Sequence, residues 1–174
     1  VTLTNLLIPH GHGDHAAGAS DLADLMEVPI EGPHRADKWW IDQMPDRGEL
    51  YGLGDAMSFT PNRWLEDGDL VRVGNQELVA LHCPGHTPGH IAYFSPAARI
   101  AFVGDILFRG QIGASNIPKG DHGDLLRSIR RKLLPLGDDV IFLPGHHVLS
   151  TFGEERRSNP FVSDDAAAKY EHLL

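Results

Sequence analysis

The chain has little cysteine and no long hydrophobic run, and each shortage excludes a class of protein. Cys83 is the only cysteine among 174 residues, so an internal disulfide is impossible and a reducing, cytoplasmic compartment is favoured. No stretch is as long and as apolar as a membrane helix, and the first residues lack the order of a signal peptide. The sequence therefore predicts a soluble globular protein that does not contact a membrane.

Positive charge is also scarce. The chain has 15 Lys and Arg against 24 Asp and Glu, which gives a formal net charge of −9. Nucleic-acid binding requires a concentrated basic face, and the single basic cluster at 127–132 is typical of the solvated face of a helix. We therefore expect a small-molecule substrate rather than a nucleic acid, whereas the oligomeric state stays open.

Histidine, by contrast, is plentiful and concentrated. Three of the 11 histidines lie with a carboxylate and two glycines in the segment His10-Gly11-His12-Gly13-Asp14-His15. Imidazole and carboxylate groups are ligands of zinc, iron and manganese, and glycines allow a tight loop. This segment predicts a metal-binding loop.

Further candidate ligands follow apolar segments in the same way that His10 does. The predicted strands at 6–8, 78–81, 100–103 and 140–143 precede His10, His86, Asp105 and His146, respectively. Ligands at strand ends are held by a rigid scaffold while their side chains converge. The sequence therefore predicts a two-metal site with ligands from four segments, namely His10, His12, Asp14, His15, His86, Asp105 and His146.

The periodicity of apolar residues indicates alternating strands and helices, which is typical of α/β layers with mixed sheets. We predict strands at 1–8, 70–73, 77–82, 91–94, 100–103 and 140–143, and helices at 16–26, 35–43 and 124–134. In the helix at 16–26, Leu22, Leu25 and Met26 share one face. The aromatic-rich segment 33–64 has two interpretations, a lid or pocket wall and a satellite packing cluster.

The ligand segments resemble those of the metallo-β-lactamase-fold hydrolases, in particular the small single-domain bacterial glyoxalase II-like (hydroxyacylglutathione hydrolase-like) branch. The motifs that carry the resemblance occur in the family's order and are His10-Gly11-His12-Gly13-Asp14-His15, Pro84-Gly85-His86-Thr87-Pro88-Gly89-His90, Gly104-Asp105 and Pro144-Gly145-His146. The resemblance implies an α/β fold in which mixed sheets lie between helical layers (an αββα sandwich), with residues 1–174 as a single domain.

The resemblance also implies the roles of the ligands. His10, His12 and His86 match the ligands of a first metal, Asp14, His15 and His146 match those of a second, and Asp105 matches the bridging carboxylate. Two divalent ions are implied, with zinc as the first choice and iron or manganese as alternatives. Asp14 and Asp105 are then the catalytic residues, together with a metal-bridging hydroxide as the nucleophile.

The implied reaction is hydrolysis of a thioester of the S-lactoylglutathione type. A mononuclear iron persulfide dioxygenase shares the fold and is the main alternative, followed by a lactonase or a β-lactamase. A nuclease is disfavoured because the 105–146 segment leaves no room for an inserted domain, and a non-enzymatic metal-binding role stays open.

Two segments depart from the family's pattern. Only residues 1–9 precede His10, so part of the family's N-terminal sheet is expected to be lacking and apolar sheet surface to be exposed. Ala114 and Asn116 stand where relatives carry Arg and Asp, which predicts an altered substrate preference or loop rigidity. Weak candidates for substrate contact are Lys119, Asn116 and His147.

Overall fold

The computed structural model describes residues 2–167 and 169. The strands are β1 (Leu6–Leu7), β2 (Ile30–Glu31), β3 (Leu70–Val73), β4 (Gln76–His82), β5 (Ile91–Ser95), β6 (Ile100–Gly104), β7 (Leu107–Phe108), β8 (Gln111–Ile112), β9 (Ile141–Pro144) and β10 (Ser150–Thr151). The helices are α1 (Gly13–Ala16), α2 (Ala19–Met26), α3 (Lys38–Asp42), α4 (Met44–Tyr51), α5 (His122–Ser128), α6 (Phe152–Ser158) and α7 (Asp164–Ala167). A π-helical turn at Ile129–Leu133 continues α5.

A six-stranded mixed sheet in the order β10-β9-β6-β5-β4-β3 is the main scaffold. Strands β6 and β9 pair in parallel, and the other neighbours pair antiparallel. Strands β1 and β2 form a separate parallel pair, and β7 and β8 form a hairpin. The predicted mixed α/β architecture is confirmed, and among the described residues no helix is long and apolar enough to cross a bilayer.

One face of the six-stranded sheet is covered by α5, its π-helical continuation and α6. Alternate residues of the strands, such as Ala101 and Val103, point into a core that also contains Leu125 and Ile129. Cys83 lies in this core and is fully buried, so it packs as a small apolar residue. Burial raises the pKa of the Cys83 thiol to about 12, which keeps the thiol protonated.

The opposite face of the same sheet is only partly covered. Leu7 packs against the part near β3 to β5, where the Tyr93 hydroxyl donates a hydrogen bond to the Ile8 carbonyl (2.8 Å). On β6 and β9, however, Phe102 is 45% exposed and Ile141 is 40% exposed. The apolar sheet surface that the sequence predicted is therefore present on this face.

Two predictions about the first 26 residues were wrong. A strand was predicted at 1–8, but only Leu6 and Leu7 (β1) pair with another strand. Their partner β2 has just two residues. The helix predicted at 16–26 is divided near Gly18 into α1 and α2.

The face of this helical segment that carries Leu22, Leu25 and Met26 is exposed to solvent. Leu25 is 77% exposed, and the small residues Ala16 and Ala19 pack inward instead. Small side chains bring this segment close to the strand pair, which turns the larger residues towards solvent.

Candidate metal centre

The loop after β1 delivers the first four donor side chains. The chain leaves β1 through buried Ile8, and His10 is fully buried directly beyond Pro9. His12 then precedes the single turn α1, which carries Asp14 and His15. The four donor side chains therefore all come from one short loop and the helical turn that follows it, as the sequence predicted.

Gly11 is required by the close approach of the segment around α3. A Cβ atom at Gly11 would lie 2.7 Å from the Trp40 Cβ atom and 3.1 Å from the Asp37 carbonyl oxygen. A larger residue at Gly11 would therefore push the donor loop away from the segment that supports it. At Gly13 a Cβ atom would meet only Leu53 Cδ1 (2.6 Å), the end of a flexible side chain that can move aside.

Three imidazoles from two loops converge in a first donor cluster, which consists of His10, His12 and His86. The distance from His10 Nε2 to His12 Nδ1 is 3.1 Å, and that from His86 Nε2 to His12 Nδ1 is 3.0 Å. Ligands of a tetrahedral zinc ion with bonds of about 2.05 Å lie about 3.3 Å apart. The spacing of the three nitrogen atoms therefore fits a single metal ion.

A second donor cluster consists of Asp14, His15, Asp105 and His146. His146 Nε2 lies 3.0 Å from Asp14 Oδ2 and 3.2 Å from His15 Nε2, although 131 residues separate the two histidines. The donors come from the HGHGDH loop, from the end of β6 and from the loop after β9. All seven predicted donors are thus brought together in two sets, and Asp105 is grouped with the second of them.

The carboxylate of Asp105 lies between the two clusters. Its Oδ1 atom is 3.4 Å from His15 Nε2, and its Oδ2 atom is 3.7 Å from His86 Nε2 and 3.5 Å from His146 Nε2. Asp105 Oδ1 is also buried without a hydrogen-bond partner among the described residues. A buried, unpaired carboxylate oxygen is costly unless a cation satisfies it, so this atom fits a metal ligand.

The protonation of the first cluster suits metal binding. Burial lowers the pKa of His12 to about 4 and lowers that of His10 well below its usual value, so both rings are neutral at pH 7. His86 Nδ1 lies 2.7 Å from the Ala114 carbonyl oxygen, which can only accept a hydrogen bond. His86 therefore carries its proton on Nδ1 and directs a bare Nε2 at the cluster.

The second cluster favours positive charge. Burial opposes protonation of His15, but the nearby carboxylates of Asp105 and Asp14 outweigh it and raise the pKa of His15 to about 9. The contact with His15 in turn holds the pKa of the Asp14 carboxyl well below its usual range. Two carboxylates thus stabilise a cation at this point, which is the electrostatic requirement of a second metal site.

Asp37 is a functional candidate that the sequence did not reveal. Its buried carboxylate accepts hydrogen bonds from the Gly11 N–H (2.8 Å), the Thr87 hydroxyl (2.7 Å) and the Gly89 N–H (2.5 Å). These donors belong to the two loops that carry the first cluster. Asp37 therefore fixes the two loops relative to each other, in the way that outer hydrogen bonds orient metal ligands.

His90 also supports the site without belonging to either cluster. Its ring stacks on His10 with centroids 4.5 Å apart, and its Nε2 atom accepts a hydrogen bond from the Asp105 N–H (3.1 Å). The structure thus places His90 behind the donors, where it contacts both His10 and the backbone of Asp105.

A cavity of about 460 Å³, the side cavity, opens beside the donors. His12, Asp14 and His86 line its inner end, and Arg47 lies in its wall. The apolar lining consists of Trp40, Met44, Leu53, Ile117 and Pro118.

Both interpretations of the aromatic-rich segment 33–64 hold. Trp40 forms a wall of the side cavity, whereas Ile41, Phe59 and Trp64 belong to a satellite packing cluster.

The three weak candidates for substrate contact lie in different places. Lys119 follows the lining residue Pro118, and its Nζ atom is 5.4 Å from the centre of the Trp39 ring. Asn116 and His147 are exposed and do not line the side cavity. The His147 ring packs edge-on against Phe108 instead, with centroids 5.5 Å apart.

Comparison with known proteins agrees with this geometry. Residues 2–146 match the family model described as the metallo-beta-lactamase superfamily. A relative from Haemophilus influenzae, named hydroxyacylglutathione hydrolase GloC, is 41% identical over 164 residues, which are 94% of this chain and 77% of the relative.

Two solved structures are similar over most of the chain. One, titled as the BLEG-1 B3 metallo-beta-lactamase, has a TM-score of 0.84 and 30% identity and covers 93% of this chain and 78% of its own. The other, TTHA1623 in a di-iron-bound form, has a TM-score of 0.80 and 33% identity. The match covers 90% of this chain and 76% of the TTHA1623 chain.

Proposed function

Because the chain belongs to the metallo-β-lactamase superfamily and is a metal-dependent hydrolase, we propose that it hydrolyses thioesters at a site holding two divalent cations. The observation that carries the proposal is the position of Asp105 between two donor clusters. One oxygen of this carboxylate lies near His15 and the other near His86 and His146, which supports a role in which Asp105 would bind both cations.

The donors divide between the two cations. We assign His10, His12 and His86 to the first cation, Asp14, His15 and His146 to the second, and Asp105 to both. Zinc is our first choice because imidazole and carboxylate donors suit it, whereas iron and manganese suit the same set. The di-iron form of one similar structure makes iron the principal alternative.

A pair of bound divalent cations would supply a hydroxide nucleophile at neutral pH and polarise the carbonyl group that it attacks. The chain's own residues prepare the site for this chemistry. The Ala114 carbonyl fixes the tautomer of His86, His90 holds the backbone of Asp105, and Asp37 ties the two ligand loops together. Asp105 and Asp14 supply negative charge that would hold the two cations in the site.

The leaving group distinguishes a thioester from an amide. A thiol has a pKa of about 8.5, so it departs as a thiolate without a proton donor, whereas an amide nitrogen must be protonated. All seven donors are committed to cations in this proposal, so none supplies that proton. The name of the Haemophilus influenzae relative supports an acyl thioester of glutathione, such as S-lactoylglutathione.

The test is hydrolysis of S-lactoylglutathione by the metal-loaded protein and by its Asp105→Ala variant. We expect turnover by the unmodified chain and a loss of about 10³-fold or more in kcat for the variant, because the joining carboxylate is removed. The matched control is Asp21→Ala, which removes an exposed carboxylate of α2 and should retain full activity. Full activity of Asp105→Ala would refute the proposal.

One observation favours a second candidate, a mononuclear iron persulfide dioxygenase. The second cluster is far more open than the first, since the side chains of Asp14 and His146 are 51% and 47% exposed whereas His10 is fully buried. Oxygen consumption with glutathione persulfide would identify this activity.

Nitrocefin and a homoserine lactone serve as probes for β-lactamase and lactonase activity. We expect neither to be hydrolysed at a rate comparable to that of S-lactoylglutathione.

A further inference from the structure

The inference rests on the proposed function and concerns the outer part of the side cavity. Its inner end is formed by metal-donor residues, but the roles of its walls and of Arg47 are not explained by the chemistry at the cations. A volume of about 460 Å³ lies within the range of small-molecule sites and exceeds what a short acyl group fills.

Two cationic side chains lie over tryptophan rings at or beside this cavity: Arg47 lines it, and Lys119 follows the lining residue Pro118. The Arg47 guanidinium carbon lies 4.6 Å from the centre of the Trp40 ring and 5.4 Å from that of Trp39. The Lys119 ammonium group lies 5.4 Å from the centre of the Trp39 ring. Cation–π contacts of this kind position a charge without neutralising it.

Neither cation is neutralised by another part of the described chain. Among the side chains that the structure describes, those of residues 2–48, 52–167 and 169, Arg47 and Lys119 form no ion pair, whereas Arg99, Arg130 and Lys132 all do. Asp14 is the only described carboxylate that lines the cavity, and it is already a donor of the second cluster. In a chain of net charge −9, this is a local concentration of unpaired positive charge.

Lys119 is also held in an unusual backbone conformation. Its φ of 66° lies in the left-handed region, which residues other than glycine seldom adopt. The adjacent Gly120 N–H donates to the Ile117 carbonyl (2.9 Å) and closes the turn. The loop thus directs Lys119 towards Trp39 at the expense of backbone strain, which is common at functional sites.

We propose that the side cavity binds the thiol portion of the substrate, and that Arg47 and Lys119 bind a carboxylate on this portion. The thioester carbonyl then lies at the inner end, beside His12 and His86. The apolar walls formed by Trp40 and Met44 contact the aliphatic part of the thiol. The substrate class is therefore an acyl thioester of a small carboxylate-bearing thiol, and glutathione is one such thiol.

The experiment compares S-lactoylglutathione with the lactoyl thioester of N-acetylcysteamine, whose thiol portion is uncharged. We expect the unmodified chain to favour the glutathione thioester in kcat/KM. In the double variant Arg47→Gln with Lys119→Gln, the ratio of the two kcat/KM values should fall about threefold to tenfold, because partly exposed ion pairs contribute modestly. Arg131→Gln with Lys169→Gln removes the same charge from exposed positions outside the cavity and should leave the ratio unchanged.

A binding measurement adds a readout that is independent of turnover. We expect S-methylglutathione, which cannot be hydrolysed, to bind the double variant about threefold to tenfold more weakly than the unmodified chain in calorimetry. Lactoyl-coenzyme A provides a phosphate-bearing thiol portion. Its kcat/KM, and that of the glutathione thioester, are each divided by the kcat/KM of the N-acetylcysteamine thioester. If the double variant lowers this ratio for lactoyl-coenzyme A but not for the glutathione thioester, the assignment to carboxylate is overturned.

The outcomes separate this inference from the proposed function. If the unmodified chain hydrolyses neither thioester, the proposed function fails and the inference falls with it. If it hydrolyses both equally well, or if the double variant lowers both kcat/KM values by the same factor, only the inference is overturned.

Discussion

At the scale of single residues, Asp37 links support of the fold to support of the site. Its carboxylate accepts hydrogen bonds from Gly11 and from Thr87, which are immediate neighbours in sequence of the donors His10, His12 and His86. A change at Asp37 should therefore affect stability and metal affinity together, although Asp37 belongs to neither donor cluster.

Replacing Asp37 with asparagine tests this link. The amide NH₂ group would face one of the present hydrogen-bond donors, so we expect a loss of about 1–3 kcal/mol in the free energy of unfolding. Metal affinity, measured by competition with a chromophoric chelator, should fall about 10–100-fold. Asp42→Asn is the matched control, because Asp42 forms an exposed ion pair with Lys38 (2.7 Å) and should change neither quantity appreciably.

The ionisation of Asp37 predicts a pH dependence. Burial raises the pKa of its carboxyl to about 6, in spite of the hydrogen bonds from Thr87, Gly11 and Gly89 that oppose the rise. The folded chain then binds this proton more tightly than the unfolded chain, so the stabilisation is present at low pH and is lost as the pH rises through about 6.

Denaturant titration of the metal-free protein measures this effect. The difference in unfolding free energy between the unmodified chain and Asp37→Asn should be about 2 kcal/mol larger at about pH 4.5 than at about pH 7.5. A difference that grows with pH instead would show that the hydrogen bonds to Asp37 outweigh its burial.

The sequence predicted the candidate donors at this scale but not the residues that support them. His12, Asp14 and His86 stand in glycine-rich motifs at strand ends, which is a distinctive pattern. Asp37 and Arg47, by contrast, are single charged residues in short helical segments, and their roles come from contacts with distant loops. No local pattern encodes such contacts.

At the scale of elements, alternation along the strands predicted the scaffold well. Strands β3 to β6 and β9 lie where the apolar runs place them, because alternating side chains serve two faces of one sheet. The helix at 16–26 was wrong because the sequence pattern identified a face with Leu25 but could not show that Ala16 and Ala19 pack inward.

The unequal cover of the two sheet faces gives a matched pair of substitutions. Phe142 on β9 is fully buried and stacks on Phe152 with centroids 5.4 Å apart, whereas Phe102 on β6 is 45% exposed on the other face. We expect Phe142→Ala to cost about 3–5 kcal/mol and Phe102→Ala about 1 kcal/mol in unfolding free energy. Equal costs in chemical denaturation would show that both faces are covered in solution.

At the scale of the whole molecule, convergence of four segments is what the sequence could not establish. His15 and His146 are 131 residues apart and nevertheless lie 3.2 Å apart between their Nε2 atoms. The resemblance implied this convergence, and the structure supplies the distances, including those that place Asp105 between the clusters. The proposed chemistry depends on this arrangement more than on any single ligand.

Counting bound metal tests the arrangement most directly. After loading and desalting, elemental analysis should find about two ions in the unmodified chain and about one in each of His12→Ala and His146→Ala. The control His147→Ala, which changes the neighbouring exposed histidine outside both clusters, should keep about two. A single ion in the unmodified chain that is lost in His12→Ala but retained in His146→Ala would contradict the two-cation site.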